Sequence, residues 1–352
     1  MADGAPTAIS YPLTPPPADG SVVEVAPGVL WARMPMPMAL DHINVYLLRG
    51  EHGWVVVDTG LNTARCRELW QHITATHLGG LPITLLVCTH WHYDHAGLAA
   101  WFVEHFGVRV AMTLGEYFTM RAYAQPAPDP LPSTQRNFYR HAGLDDAGID
   151  ALFAGVRHDP FTAPAPRSYR RLRGGDVLAI GQRRWQVVIG EGHSPEHACL
   201  YDADAHLLLA GDQLLPRITS NVLVSDIEPE ANPLALWLAS LTRLERLAAD
   251  TLVLPSHQEV FRGLAVRTRE LAEHHAHQLD VLRGCLEHAP QASAVAAMHT
   301  LFPRRRGPFD DMLALGETLA HLAWLRDAGE VRRTLDAHGI HRFALTAAGE
   351  AP

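Results

Sequence analysis

Residues 87–99, VCTHWHYDHAGLA, decide how this chain is read. They follow a buried-strand run and precede a helix-like run, so His90, His92, Asp94 and His95 crowd six positions at a strand-to-helix junction. Left alone, such a cluster is penalised by desolvation and by repulsion between any protonated rings. Imidazole nitrogens and carboxylate oxygens are also natural ligands of first-row divalent metals, and a short loop at a strand end aims alternate side chains at one point. Metal binding supplies the compensation, because ligated imidazoles are neutral and cations offset buried carboxylates.

Three more candidate ligands each stand directly after a strand-like run: His193 in GEGHSPEH, Asp212 in LLAGDQ and His257 in LPSHQE. Chance clustering in a chain with 22 histidines is the competing explanation, and it is weakened because a sheet would bring these positions together. Other histidines, including His72, His77 and the pair His274 and His275, read as helix-surface or amphipathic-face residues.

Upstream, VVEVAPGVLWARM, INVYLL and GWVVVDTG read as three short strands separated by turn-forming Gly and Pro. NTARCRELWQHITATHL then predicts a helix capped by Asn62 with Leu69, Ile73 and Thr76 at helical spacing, and ITLLVCT predicts the next strand, a βαβ unit. AGLAAWFVEHFG predicts a helix ending at Gly107, and VRVAMT a strand. Residues 114–168 break this rhythm with two or three short helical pieces and the Pro-rich QPAPDPLP and DPFTAPAPR, an insertion read as a lid, a homodimer contact or a passive surface excursion.

Strands resume in YRRLRGGDVLAIG, RRWQVVIGE, ACLYDAD and HLLLAGD. A helix striped with Leu234, Trp237, Leu241, Leu244 and Ala248 leads to the strand TLVLPSH. Residues 262–287 predict a long helix with Leu271, His275, Leu279, Leu282 and Leu286 on one face, followed by further helices and a small hairpin from EVRRTL and IHRFALT. The expected division is a Pro-rich lead-in at 1–21, a catalytic domain at 22–262 carrying the 114–168 insertion, and the long helix with a winged-helix-like tail at 263–352.

The length of 352 residues allows one large core with an accessory segment, or two domains. With 47% hydrophobic and 19% charged residues and no apolar run of membrane length, the composition is that of a soluble globular protein. The opening MADGAPTAISYPLTPPPADG lacks the basic and apolar regions of a secretory signal. Four scattered cysteines, Cys66, Cys88, Cys199 and Cys285, suit a reducing cytoplasm better than a disulfide framework. A formal charge of −9 disfavours a broad phosphate-binding surface.

In order along the chain these motifs resemble the metallo-β-lactamase superfamily, whose HxHxDH signature stands here as HWHYDH. The resemblance covers roughly residues 22–262 and implies an α/β fold, the αββα sandwich, with a two-metal site at the sheet edge. Carried over residue by residue, it assigns one divalent ion to His90, His92 and His193 and a second to Asp94, His95 and His257, with Asp212 bridging both. Asp58 in VVVDTG matches the aspartate that orients a ligand histidine through its other ring nitrogen, with a cap or turn role as the alternative. Asp94 and Asp212 become the catalytic carboxylates: a hydroxide held between the ions attacks, and Asp94 orients it. Zinc is the expected metal, and the all-N/O ligand set also suits iron or manganese.

Within that family true β-lactamases usually carry Cys or Ser where Asp212 stands, whereas a bridging aspartate is typical of glyoxalase II-like thioesterases, lactonases and nucleases. GHSPEH is similar to the GHTxGH of thioester and lactone hydrolases, but Glu196 replaces the common Gly, bringing charge to the site or facing solvent. The expected function is hydrolysis of a small ester, thioester or lactone. The alternative is a metal-dependent endoribonuclease, for which RRR at 304–306 with Arg332 and Arg333 is the best argument. A β-lactamase, a mononuclear iron dioxygenase and a metal-stabilised regulatory protein rank below these. The Met-rich MPMPMALDHIN, residues 34–44, offers an acyl-chain wall or core packing, and Asn221, Tyr117 and Tyr123 are pocket candidates by position.

Overall fold

The computed structural model describes residues 6–125, 128, 130–154, 163–305 and 307–346. The chain divides into two compact units, Met1–Gln125 with Pro160–Ser220 and Ser240–Thr268, and Pro126–Asp159 with Asn221–Ala239 and Arg269–Pro352.

The first unit contains a seven-stranded sheet in sequential order: β1 (Val22–Ala26), β2 (Val29–Pro35), β3 (His42–Arg49), β4 (Trp54–Val57), β5 (Ile83–Val87), β6 (Arg109–Met112) and β7 (Arg170–Arg171). Pairing is antiparallel from β1 to β4 and parallel from β4 to β7. The parallel half needs crossovers, which α1 (Ala64–Thr76) and α3 (Ala99–Phe106) supply. A five-stranded sheet, β8 (Val177–Ile180), β9 (Arg183–Gly190), β10 (His197–Asp202), β11 (Leu207–Gly211) and β12 (Leu252–Pro255), runs in the order β12-β11-β10-β9-β8.

Strand β3 shows why the run INVYLL is largely apolar: Ile43, Val45 and Leu47 join one core while Tyr46 and Leu48 join the other, and the one buried amide, Asn44, donates to the Pro255 carbonyl at 2.8 Å. The first core lies between the sheet and the helices, with Leu69, Trp70 and Ile73 of α1 and Phe102 of α3. The second lies between the sheets, where Trp31, Tyr46, Val57 and Val87 share a cluster with Trp185, Val187, Leu200, Leu209 and Leu254. Each fully buried side chain of this kind contributes about 1.5–3 kcal/mol. On the other sheet, Arg243 of α7 (Pro233–Glu245) donates to the Ile189 carbonyl at 3.3 Å, and Leu241 and Leu244 are buried. The layers are those of the αββα sandwich.

Several local readings change. VVEVAPGVLWARM is two strands, reversed at Pro27–Gly28, where Gly28 adopts φ +77°. Thr63, not Asn62, caps α1 by accepting from the Cys66 N–H, and Thr76 is exposed. AGLAAWFVEHFG holds the expected helix ending at Gly107, α3 (Ala99–Phe106), but the helix starts at Ala99, after a separate turn, α2 (Tyr93–Ala96). Thr59 causes the break, since its N–H and Oγ1 both donate to the His95 carbonyl at 2.9 Å while Oγ1 accepts from Leu98 N–H. YRRLRGGDVLAIG divides between the sheets, β7 pairing with β6 and β8 with β9. Met34 and Met36 are buried in the helix-side core, as core packing requires.

Of the insertion, α4 (Leu114–Tyr123) belongs to the first unit, and α5 (Ser133–Ala142) and α6 (Asp146–Ala154) to the second. The Pro-rich readings fall partly on residues 126, 127, 129 and 155–162, outside the described residues, as does Arg306. The second unit also holds most of α8 (Leu264–His288), α9 (Ala294–Leu301), α10 (Pro308–Asp327) and the antiparallel hairpin β13 (Val331–Leu335) with β14 (His341–Leu345). The α8 stripe Leu271, His275, Leu279, Leu282 and Leu286 is buried, so His275 is a core residue while His274 is exposed. Arg305 pairs with Asp311 at 2.6 Å and Arg333 with Glu230 at 2.9 Å. Among the described residues no helix is long and apolar enough to cross a membrane.

Candidate metal centre

The seven candidate ligands all follow strand ends of the first unit. His90 and His92 follow β5, Asp94 and His95 stand on the single turn α2, and His193, Asp212 and His257 follow β9, β11 and β12. Clefts beyond the carboxyl ends of parallel strands are where α/β sheets place ligands. His90, His92, His193 and Asp212 present ligand atoms within 4.8 Å of one another, as do Asp94, His95 and His257. Asp212 stands between the groups, its Oδ2 lying 3.5 Å from both His193 Nε2 and His95 Nε2 and its Oδ1 3.4 Å from His257 Nε2. Asp94 Oδ2 lies 3.4 Å from His257 Nε2 and 3.5 Å from His95 Nε2.

Hydrogen bonds at the far side of the rings set which nitrogen faces inward. His95 Nδ1–H donates to Asp58 Oδ2 at 2.8 Å, and His257 Nδ1–H donates to the His42 carbonyl at 2.9 Å, which turns each Nε2 toward the carboxylates of the site. Asp58 is held in turn by the Thr89 N–H at 2.7 Å and the Thr89 hydroxyl at 2.8 Å. It adopts φ +63°, a left-handed conformation that a non-glycine residue keeps only when its surroundings enforce it. Asp58 therefore orients His95, a candidate ligand, and closes a turn as well.

The donor set fits a divalent cation. His90 Nε2 lies 2.8 Å from His92 Nδ1 and 3.2 Å from His193 Nε2, three imidazole nitrogens converging on one point. Burial, then the neighbouring imidazoles, hold His90 well below its ordinary range, and burial with His193 pushes His92 down to about 3. These rings are neutral at pH 7, as ligands must be. His95 Nε2 and Asp212 Oδ1 are buried without a hydrogen-bond partner, a costly arrangement that a cation between the groups removes.

Glu116 and His197, both outside the sequence reading, hold this arrangement together with Glu196, whose carboxylate turns to the protein rather than to solvent. Glu116, in the first turn of α4, is buried and accepts from Trp91 N–H at 3.0 Å, Ser194 Oγ at 2.7 Å and Glu196 N–H at 2.7 Å, clamping the HWH loop to the GHSPEH loop. Burial lifts its carboxyl to about 7. Glu196 accepts from Gly115 N–H at 2.7 Å, so its carboxylate braces the start of α4. His197 Nε2 accepts from the Asp212 N–H at 3.1 Å, and a Cβ at Gly211 would meet that ring at 2.3 Å. Repetition of His within GHSPEH was the available signal for His197; Glu116 had none, being brought in by the insertion. Tyr117 is structural, its hydroxyl donating to the carbonyls of Pro166 and Arg167 while its ring stacks on Tyr169 at 3.7 Å. Asn221 falls in the second unit. Tyr123 stacks on Trp91 at 4.3 Å.

Glu116→Ala is expected to weaken metal affinity about 10–100-fold, the usual cost of losing a residue that orients ligands, with Glu116→Gln restoring part of it. Metal titration against a competing chelator reads this, and wild-type affinity in the alanine variant refutes the clamp.

Comparison with known proteins agrees with the geometry. The family model described as the metallo-beta-lactamase superfamily matches residues 38–257, and the metallo-beta-lactamase-like, C-terminal domain matches 279–346. A probable metallo-hydrolase, YqjP, from Bacillus subtilis is 26% identical over 84% of this chain and 91% of its own. The acyl-coenzyme A thioesterase MBLAC2 of Gallus gallus is 26% identical over 77% of this chain and 92% of its own. The crystal structure of a beta-lactamase domain protein from Burkholderia ambifaria is 43% identical with a TM-score of 0.86, covering 96% of this chain and 97% of that one. A family match across most of the sandwich, over the strand-end loops that carry all seven candidate ligands, places this chain in the metallo-beta-lactamase superfamily.

Proposed function

We propose that the protein is a dinuclear metal-dependent hydrolase of a small ester, thioester or lactone, with acyl thioesters first among these. The observation that carries the reading is the Asp212 carboxylate, within 3.5 Å of nitrogens from both ligand groups. His90, His92 and His193 would hold one divalent ion, Asp94, His95 and His257 the other, and Asp212 both. Such a pair supplies Lewis acidity toward a carbonyl oxygen and a water acidic enough to act as nucleophile near neutral pH. An aspartate at position 212, rather than Cys or Ser, disfavours β-lactam cleavage, and the thioesterase named among the relatives favours a thioester.

The chain's own residues fix the reacting geometry. Asp58, through His95, and the His42 carbonyl, through His257, hold two rings against rotation. The Asp94 carboxylate faces the same space as His95 and His257 and would orient the nucleophilic water. Trp91 lies against the His92 ring at 4.6 Å and stacks on Tyr123, an apolar wall suited to an acyl group. Arg305 and Arg333 already bear carboxylate partners, and this, with the charge of −9, favours a small-molecule substrate over RNA.

The test is to load the protein with zinc, manganese or iron and offer acyl-CoA thioesters, lactones and aryl esters. Thioester turnover is expected. Full metal occupancy without turnover of any of the three refutes the reading, and cleavage of single-stranded RNA that is lost in His90→Ala and weakened by salt would replace it with a ribonuclease.

A further inference from the structure

We propose that the second unit holds a divalent metal ion of its own, bound by His275 of α8 and by Glu317 and His321 of α10. The three residues present ligand atoms within 4.8 Å of one another, and no part of the site described above includes them. Glu317 and His321 stand four residues apart, one helical turn, so their side chains share a face of α10. His275 comes from the buried stripe of α8, among Leu271, Leu279 and Leu282.

Burial is the physical argument. His275 and His321 have no exposed surface and Glu317 is 8% exposed. A polar trio in an apolar interior is costly unless its groups are all partnered, and these are not. His321 Nδ1–H donates to the Glu317 backbone carbonyl at 2.8 Å, which fixes its tautomer and turns the Nε2 lone pair toward His275. His275 Nδ1 lies 3.1 Å from that Nε2, while His275 Nε2 is buried with no hydrogen-bond partner. The ring packs beside Trp237 at 5.0 Å and makes one hydrogen-bond contact, to His321, the contact that a shared cation would replace.

The spacing suits such a replacement. Two nitrogens about 2.0–2.1 Å from a tetrahedral zinc ion stand about 3.3 Å apart, close to the 3.1 Å seen here. Burial, then the neighbouring His321 ring, pushes His275 down to about 3, and burial pushes His321 down to about 4, so both rings are neutral and ready as ligands. Burial lifts Glu317 to about 7, and on binding its carboxyl releases a proton and becomes the one anionic ligand. An N/O set of two imidazoles and a carboxylate suits zinc, cobalt, manganese or iron and leaves a coordination position for water. Its effect is to staple α8 to α10.

Metal stoichiometry tests this independently of hydrolysis. The full-length His90→Ala/Asp212→Ala variant, dialysed against zinc, is expected to retain one equivalent that resists buffer exchange. Adding Glu317→Gln or His321→Gln is expected to remove it. In the otherwise wild-type chain Glu317→Gln is expected to lower zinc by one equivalent without changing turnover. Cobalt substitution in the double variant is expected to give d–d absorption that is lost with His275→Asn, a readout that stands if the Glu317 variant does not fold. A double variant that binds no zinc, or a Glu317→Gln chain with unchanged zinc content, overturns the proposal and leaves a neutral hydrogen-bonded trio.

Discussion

Asp212→Ala is expected to lower kcat/KM on the best substrate by at least about 10³-fold, which corresponds to about 4 kcal/mol of lost transition-state stabilisation. Among the described residues its carboxylate alone lies within 3.5 Å of nitrogens from both groups, so its loss would remove a candidate ligand from each. His95 Nε2 and His257 Nε2 would then keep only Asp94 as a nearby carboxylate. Metal content should fall together with rate. Glycine at 211 makes this side chain's position possible, since any Cβ there would strike the ring that receives the Asp212 N–H. Steady-state kinetics with metal analysis of the same sample read the effect. Wild-type turnover at reduced metal content would show that Asp212 does not join the two groups.

The second large effect is in pH. In the metal-free protein burial opposes a charge on His257, but Asp212 and Asp94 outweigh it and lift the ring to about 10. His95 is likewise held well above its ordinary range, burial being outweighed by Asp94, Asp212 and Asp58. A base with a raised folded-state pKa adds stability that is full below its unfolded value, near 6.5, and is lost as pH rises through about 10. The metal-free chain should therefore lose stability over that interval. A metal must displace the same proton, so its apparent affinity should rise at least about tenfold per pH unit up to about pH 10. Protons released on binding should appear in calorimetry as a dependence of the measured heat on the buffer. Affinity that is flat between pH 6 and 8.5 would refute this account of His257.

How much of this was legible follows from the range of the interactions. His90, His92, Asp94 and His95 announce themselves because six residues hold them all, and His193, Asp212 and His257 because each ends an apolar run. Strand β3 reads correctly because burial on both faces makes a nearly continuous apolar segment, broken only by Asn44. What was missed depends on partners far away in sequence. The break between α2 and α3 is made by Thr59, 36 residues before the carbonyl it caps. Glu116 shows its role only when loops near 91 and 195 close around it. His275 reads as one more histidine of an amphipathic helix until α10 brings Glu317 and His321 beside it. The turn at Pro27–Gly28 was local and readable, and the β-branched runs on either side obscured it.

The division of the ligands between two sheets also sets an order of events during synthesis. His90 to His95 emerge first, but His257 lies 162 residues after His95, so the full ligand set exists only when β12 has left the ribosome. At about 5–20 residues per second that interval lasts roughly 8–30 s. Within it His193 and Asp212 appear, 98 and 117 residues after His95, so the first candidate group is complete before the second, whose His257 comes last. The second candidate group is therefore completed only with the last strand of the sandwich.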